Sequence, residues 1–273
     1  MRKAGAGNQM TYTSLYGPKL WWLLFKRDLK LRYAGAGFGS LWNILQPVLL
    51  FGVYALVFGY FLKFKARLLG HQIDFLPYLF AGFWPWVAFN DGVLRSAFIV
   101  LEYAAIIKRV RFPVGVLVPL AVLSALTPLL VGFLLLGIFL AFKGGLHLSL
   151  SRAPFLLVPL GMQLLLSLGL GFLVASVTAY VRDVQQLLPS LMNLWFFLTP
   201  VFYSLDLVPV WLRGVLSLNP WSTILSWYRM LFLSPSLSWD PGDFWVFGLG
   251  CLLCLSGYLC FKRASRYFPE ILG

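Results

Sequence analysis

Charge is scarce in this sequence. Asp, Glu, Lys and Arg make up 11% of 273 residues, and the acidic ones number 9. A soluble domain carries about 25% charge, so there is too little here to cover a water-facing surface, and a water-soluble enzyme is excluded. Titratable groups of other kinds are equally few: 2 His and 3 Cys. His71 and His147 fall in short loops between apolar runs and read as solvated. Cys251, Cys254 and Cys260 share the last apolar run, where an i,i+3 pair reads as small packing residues, not a redox pair. No acid–base centre of the kind catalysis requires is apparent, and no carboxylate pair stands at metal-ligand spacing within the runs. The chain has no Gly-Lys dipeptide, which excludes a G-x-x-x-x-G-K-[ST] phosphate loop and ATP hydrolysis by that route. What is abundant is apolar surface. Hydrophobic residues reach 60%, aromatics 18%, and the net charge is +13.

Charge-free runs cover residues 41–62, 75–90, 112–142, 153–181, 184–205 and 244–261. A helix needs about 20 apolar residues to cross a bilayer, and a charge at its centre costs on the order of 3 kcal/mol. These runs predict an all-α membrane protein with six spans, the second continuing through Asp91 and Arg95, which are i,i+4 and suited to pair. An even number of spans puts both termini on one side. Fifteen of the 22 Lys and Arg fall on that side, which predicts cytoplasmic termini. The Met1–Lys3 start leads into small and polar residues, so no signal peptide is expected.

Outside the spans, Pro18–Tyr33 patterns as an amphipathic interface helix, with Lys19, Lys26 and Lys30 along one line and Trp21, Trp22, Phe25 and Leu29 on the far side. Asp28 and Arg32 are i,i+4 and can neutralise each other. Such a helix anchors at the membrane surface, and its basic edge can also meet an anionic headgroup or pyrophosphate. Two short turns, 102–113 and 180–189, are either helices offered to a cytoplasmic partner or plain charged turns. Between the last two spans, two apolar pieces flank Asn219-Pro220. Each is too short to cross, which predicts two helices dipping into the outer interface. The aromatics of Phe83–Phe89 and Trp195–Tyr203 either pack or line a conduit, where sugar rings could slide over aromatic faces.

Several motifs then fall in one order: R-D-L-K-L-R-Y (27–33), F-G-S-L-W (38–42), Q-P (46–47), V-F-G (57–59), L-P-Y-L-F-A-G-F-W-P-W (76–86), I-K-R-V-R-F-P (107–113), R-D-V-Q-Q-L-L-P (182–189), L-W-F-F-L-T-P-V-F-Y (194–203) and L-N-P-W (218–221). Together they resemble the permease subunits of ABC-type polysaccharide exporters, of the O-antigen or teichoic-acid branch more than the capsule branch. Ala34 stands where that family often has a basic residue.

The resemblance implies a dimer of this chain in the bacterial plasma membrane, paired with two copies of a separate ATPase. ATP and Mg would be bound by that partner, with no cofactor in this chain and no nucleic acid. It implies a cytoplasmic N-terminus with the interface helix (1–40), a six-span transport domain (41–262) and a cytoplasmic tail (263–273). Ile107, Lys108, Arg109, Arg111, Phe112, Arg182, Asp183 and Gln185 would couple to the ATPase. Lys26, Arg27, Lys30 and Arg32 would meet the pyrophosphate of a lipid-linked polysaccharide. Tyr54, Phe83, Trp84, Trp86, Phe89, Trp195, Phe196, Phe197 and Tyr203 would line the channel, and Trp211, Trp221, Trp227 and Tyr228 an outer gate. Against this stand a drug or lipid permease of the same class, an intramembrane transferase and a passive channel.

Overall fold

The computed structural model describes residues 22, 24–28, 39–68, 71–109, 113–143, 152–237 and 240–271, with the side chains of 40, 43, 71, 109, 143 and 269 left aside. The chain divides into two units, Met1–Trp42 and Asn43–Gly273. In the first, Trp22 and residues 24–28 are helical, Lys26 and Arg27 are exposed and Asp28 is buried. The Lys26 ammonium lies 4.8 Å over the Trp22 ring, which itself stacks on Phe25. Lys30 and Arg32 lie outside the described residues.

The second unit is a helical bundle. Helix α1 (Trp42–Tyr54) continues as a π-helical stretch, Ala55–Phe61. It closes with the Leu62 N–H donating to Val57 O, and Lys63 then turns the chain with φ 47°. A short antiparallel hairpin follows, β1 (Ala66–Leu68) with β2 (His71–Ile73). The hairpin corrects the all-α expectation at this point: two three-residue strands are too short for alternation to register in a sequence.

Helix α2 (Phe75–Glu102) is the central element, 28 residues long and about 42 Å by helical rise. It packs against α4 (Leu117–Ser124), α5 (Thr127–Lys143) and α6 (Leu157–Tyr180). Helix α3 (Ala104–Arg109) links α2 to α4. Proline accounts for the α4–α5 bend. Pro128 has no N–H for the Ser124 carbonyl, and the Thr127 hydroxyl donates to that carbonyl at 2.9 Å instead. Helix α7 (Val184–Phe197) has only 14 residues. An irregular turn follows, then α8 (Val210–Ser217), α9 (Pro220–Leu233), α10 (Trp245–Ala264) and α11 (Phe268–Ile271).

Four helical stretches are long and apolar enough to cross a membrane: Ile44–Phe61, Val114–Phe142, Ala153–Tyr180 and Pro241–Ala264. Their buried hydroxyls bond backward along their own helices, as Ser167 to Gln163 O and Ser176 to Phe172 O, both at 2.7 Å. Hydroxyls satisfied in this way cost little in an apolar surround. Arg95, suited by spacing to Asp91, lies 3.8 Å from Glu102, so α2 carries its charges to its end without breaking.

Lipid gives helices no hydrophobic drive to associate, so close backbone approach must supply the packing. Helices α6 and α10 meet in this way at Gly169 and Gly257. A Cβ on Gly169 would stand 2.6 Å from the Leu253 carbonyl carbon, and one on Gly257 would stand 2.5 Å from Gly169 O. Cys254 has its backbone at this seam, while Cys251 and Cys260 are exposed. Only one of the three cysteines is therefore a packing residue.

Candidate functional site

The two ends of the bundle are chemically different. At one end α11 packs against α3 and α6, and the Tyr180 hydroxyl donates to Ala264 O at 3.4 Å. The α2–α3 connection, the α6–α7 turn and the end of α10 thus share this end. Lys108, Arg182, Asp183, Lys262 and Arg263 are exposed here. The turn is tight: Gln185 N–H donates to Arg182 O and Gln186 N–H to Asp183 O, both at 3.0 Å. Asp183 then stands at the start of α7, where a carboxylate suits the helix dipole. Gln185 is half-buried, Ile107 is buried, and Arg109 closes α3. Arg111 and Phe112 lie outside the described residues.

At the other end, cations hold backbone. Arg152 donates to the carbonyls of Ser234 and Pro235. Arg213 donates to Val208 O at 2.7 Å and to Asp206 O at 2.6 Å. Arg229 Nη2 donates to Pro200 O and Val201 O, each at 2.7 Å, with the guanidinium 3.6 Å from the Tyr78 ring centre. Non-helical backbone survives at membrane depth only where protein satisfies it. These arginines do that for the turns on either side of α8 and α9.

Helix α9 begins level with the middle of α2, where Trp221 lies 4.6 Å from Phe89 between ring centres, and ends beside Arg152. It runs inside the bundle, buried along most of its length against α2, α5 and α6. The Tyr228 hydroxyl donates to Gln163 Oε1 at 2.8 Å, and Phe133 on α5 packs on Tyr228 and Phe232. The two short helices expected between the last spans are present as α8 and α9, and they differ in burial. α8 does present apolar side chains outward, with Trp211 77% exposed, but Trp221, Trp227 and Tyr228 are interior.

Asn219 ties together the turn that opens α9. Its Oδ1 accepts from Trp195 Nε1 and from the Trp221 N–H, both at 3.1 Å. Its Nδ2 donates to Thr199 Oγ1 at 2.9 Å and to Leu198 O at 3.2 Å. One side chain thus caps α9 and clips it to the end of α7. Pro220 follows at the first helical position, which it suits.

The nine expected channel aromatics divide by burial. Phe83, Trp84, Trp86, Phe89 and Phe196 are inside the bundle, packed on one another and on Trp195 and Trp221. Tyr54, Trp195 and Tyr203 are half-buried and Phe197 is exposed.

The contacts made by Asn219, Arg229, Gln163 and Tyr78 are not apparent in the sequence. A lone arginine within an apolar 14-residue segment was the available signal, since an ionisable group at membrane depth marks a site by default.

A bundle of long apolar helices with short basic connections at one end is that of a multi-pass membrane protein. The chain belongs to the ABC-2 type transporter family, which matches residues 19–233, and so is of the kind that forms a transporter's membrane subunit. It is similar to an O-antigen export system permease protein RfbA of Klebsiella pneumoniae, at 28% identity over 97% of this chain and 99% of that one. An RfbA permease of Myxococcus xanthus is 31% identical over 77% of this chain and 78% of its own. The polysialic acid transport protein KpsM of Escherichia coli is 24% identical over 72% and 74%.

Proposed function

We propose that this chain is the membrane subunit of an ATP-driven exporter that moves a lipid-linked polysaccharide, O-antigen or a similar glycan, across the bacterial plasma membrane. The observation that carries this is similarity along the whole chain to proteins named for O-antigen export. The weaker match to a polysialic acid transport protein supports capsule export as the second reading. In the leading reading two copies of the chain pair with two ATPase subunits that bind ATP and Mg, and both termini are cytoplasmic. Residues 1–40 form the cytoplasmic entrance, with Lys26, Arg27, Lys30 and Arg32 near the lipid pyrophosphate. Residues 41–262 form the transport domain and 263–273 the tail.

Six crossings follow if α2 and α7 join the four long apolar stretches. Helix α2 exceeds the needed length. Helix α7 covers only about 21 Å, and the turn held by Arg229 carries the chain the rest of the way.

Substituting Arg182→Ala together with Asp183→Ala is expected to cut glycan export at least tenfold while membrane insertion and folded yield stay the same. Surface glycan scored against the membrane level of the protein measures this, and undiminished export would remove the turn from the coupling path. The ATPase should co-purify with the unaltered chain and be lost with the double variant.

The sliding wall belongs to aromatics with exposed faces. Tyr54→Ala with Phe197→Ala is expected to slow export several-fold at normal folded yield. Trp86→Ala should instead lower the yield, since truncating a core aromatic costs about 3–5 kcal/mol. Equal loss of yield in both would refute the division by burial.

A further inference from the structure

Arg229, which holds the turn after α7, also lines a cavity of about 180 Å³, bounded by β1, the 200–206 turn and α9. We infer that this cavity binds one anionic polyol group, an acidic sugar or a glycerol phosphate.

Arg229 is 3% exposed. Its Nη2 serves two carbonyls and its face rests on Tyr78, yet its Nε is buried without a hydrogen-bond partner. Among the described residues no carboxylate pairs with it, so the bundle holds a buried cation on neutral groups alone. That is a costly arrangement unless something else supplies the negative charge. Ser204 lines the same cavity, also 3% exposed, and its hydroxyl likewise has no partner. Each buried unsatisfied polar group costs about 1–3 kcal/mol, a cost that an acceptor-bearing ligand drawn into this lining would lower.

The rim sets the class of ligand. Arg67, exposed on β1, adds a second cation, which favours an anion. Asp206, the one acid on the lining, is exposed and offers an acceptor for hydroxyl groups. An anion that also carries hydroxyls satisfies both. Size limits it to a single unit, because sites for drug-sized ligands start at about 300 Å³. Gly82 makes the arrangement fit: a Cβ there would stand 2.6 Å from Arg229 Nη2. That the cavity faces the exit side rests on the orientation proposed above. On that side the group is either an acidic sugar of the exported chain or the phosphate of a lipid headgroup.

Equilibrium binding to the full chain in nanodiscs of neutral phosphatidylcholine tests the inference without ATPase or export, so its failure is distinct from failure of the export reading. The probes are D-glucuronate, sn-glycerol 3-phosphate and D-glucose. Saturable binding of at least one anionic probe is expected, at least tenfold tighter than glucose. Preference for glucuronate points to the glycan, and preference for glycerol phosphate to the lipid. Ser204→Ala and Arg67→Gln leave the carbonyl contacts of Arg229 intact and are each expected to weaken binding severalfold. Arg229→Lys should weaken it at least tenfold. The inference is overturned if neither anion saturates, if glucose binds equally well, or if Ser204→Ala and Arg67→Gln both bind as the unaltered chain does.

Discussion

Gly169→Leu is expected to leave almost no folded protein, while Gly248→Ala on the facing helix leaves it intact. The reason is distance. At Gly169 the first added carbon would already lie 2.6 Å from the Leu253 carbonyl carbon and 2.7 Å from Cys254 N. Both are backbone atoms, which no rotamer change can move aside. Overpacking a core costs about 1–3 kcal/mol for small insertions, and a leucine adds three further carbons to a seam with no room for the first. The helices must separate, and the α6–α10 pair is one of the most extensive in the bundle. Gly248 faces open space. Alanine there gains up to about 1 kcal/mol of helix propensity. Size-exclusion profiles and thermal melts of the two variants in the same detergent measure the contrast. A Gly169→Leu protein that elutes and melts like the unaltered chain would show that the seam does not hold α6 to α10.

This seam was not visible in the sequence, although much around it was. The uncharged runs at 112–142 and 153–181 predict spans where the structure has helical stretches long and apolar enough to cross, Val114–Phe142 and Ala153–Tyr180. Lipid enforces that agreement, because a charge inside a span has nowhere to go unless it is paired. Arg95 is the instructive case: with Glu102 at 3.8 Å the helix runs on to residue 102, well beyond the charge-free stretch. Which face of a span looks inward is a different matter. Helix α2 buries side chains around much of its circumference between Pro77 and Phe89, so apolar periodicity carries no directional signal there. The aromatic cluster is therefore legible in the sequence, but whether its members pack or line a conduit is not. Arg229 is legible as a lone cation in an apolar segment, but what it holds is not. Its partners, the carbonyls of residues 200 and 201, come from an irregular turn that no pattern of side chains announces.

Asn219→Ala is expected to lower the midpoint of thermal unfolding by several degrees and to reduce export by more than the loss of folded protein explains. The substitution removes all four hydrogen bonds of the side chain. Losing the cap on the Trp221 N–H costs about 1 kcal/mol. The Trp195 indole N–H is left part-buried without its acceptor, at about 1–3 kcal/mol. Against a total stability of about 5–15 kcal/mol for a typical domain, this is a large fraction. Thr199 belongs to the same network, since its hydroxyl receives Asn219 Nδ2 and itself donates to Trp195 O at 2.8 Å. Thr199→Val combined with Asn219→Ala should therefore cost less than the two effects added, by about 1 kcal/mol. Strict additivity would mean the residues act separately. The effect on export follows from position. These bonds join the end of α7, whose first turn faces the proposed ATPase, to the start of α9, which leads to the cavity at the opposite end. With the clip gone, movement of α7 is no longer handed to α9. Export per folded molecule should fall while the Arg182–Asp183 turn and ATPase co-purification are unaffected.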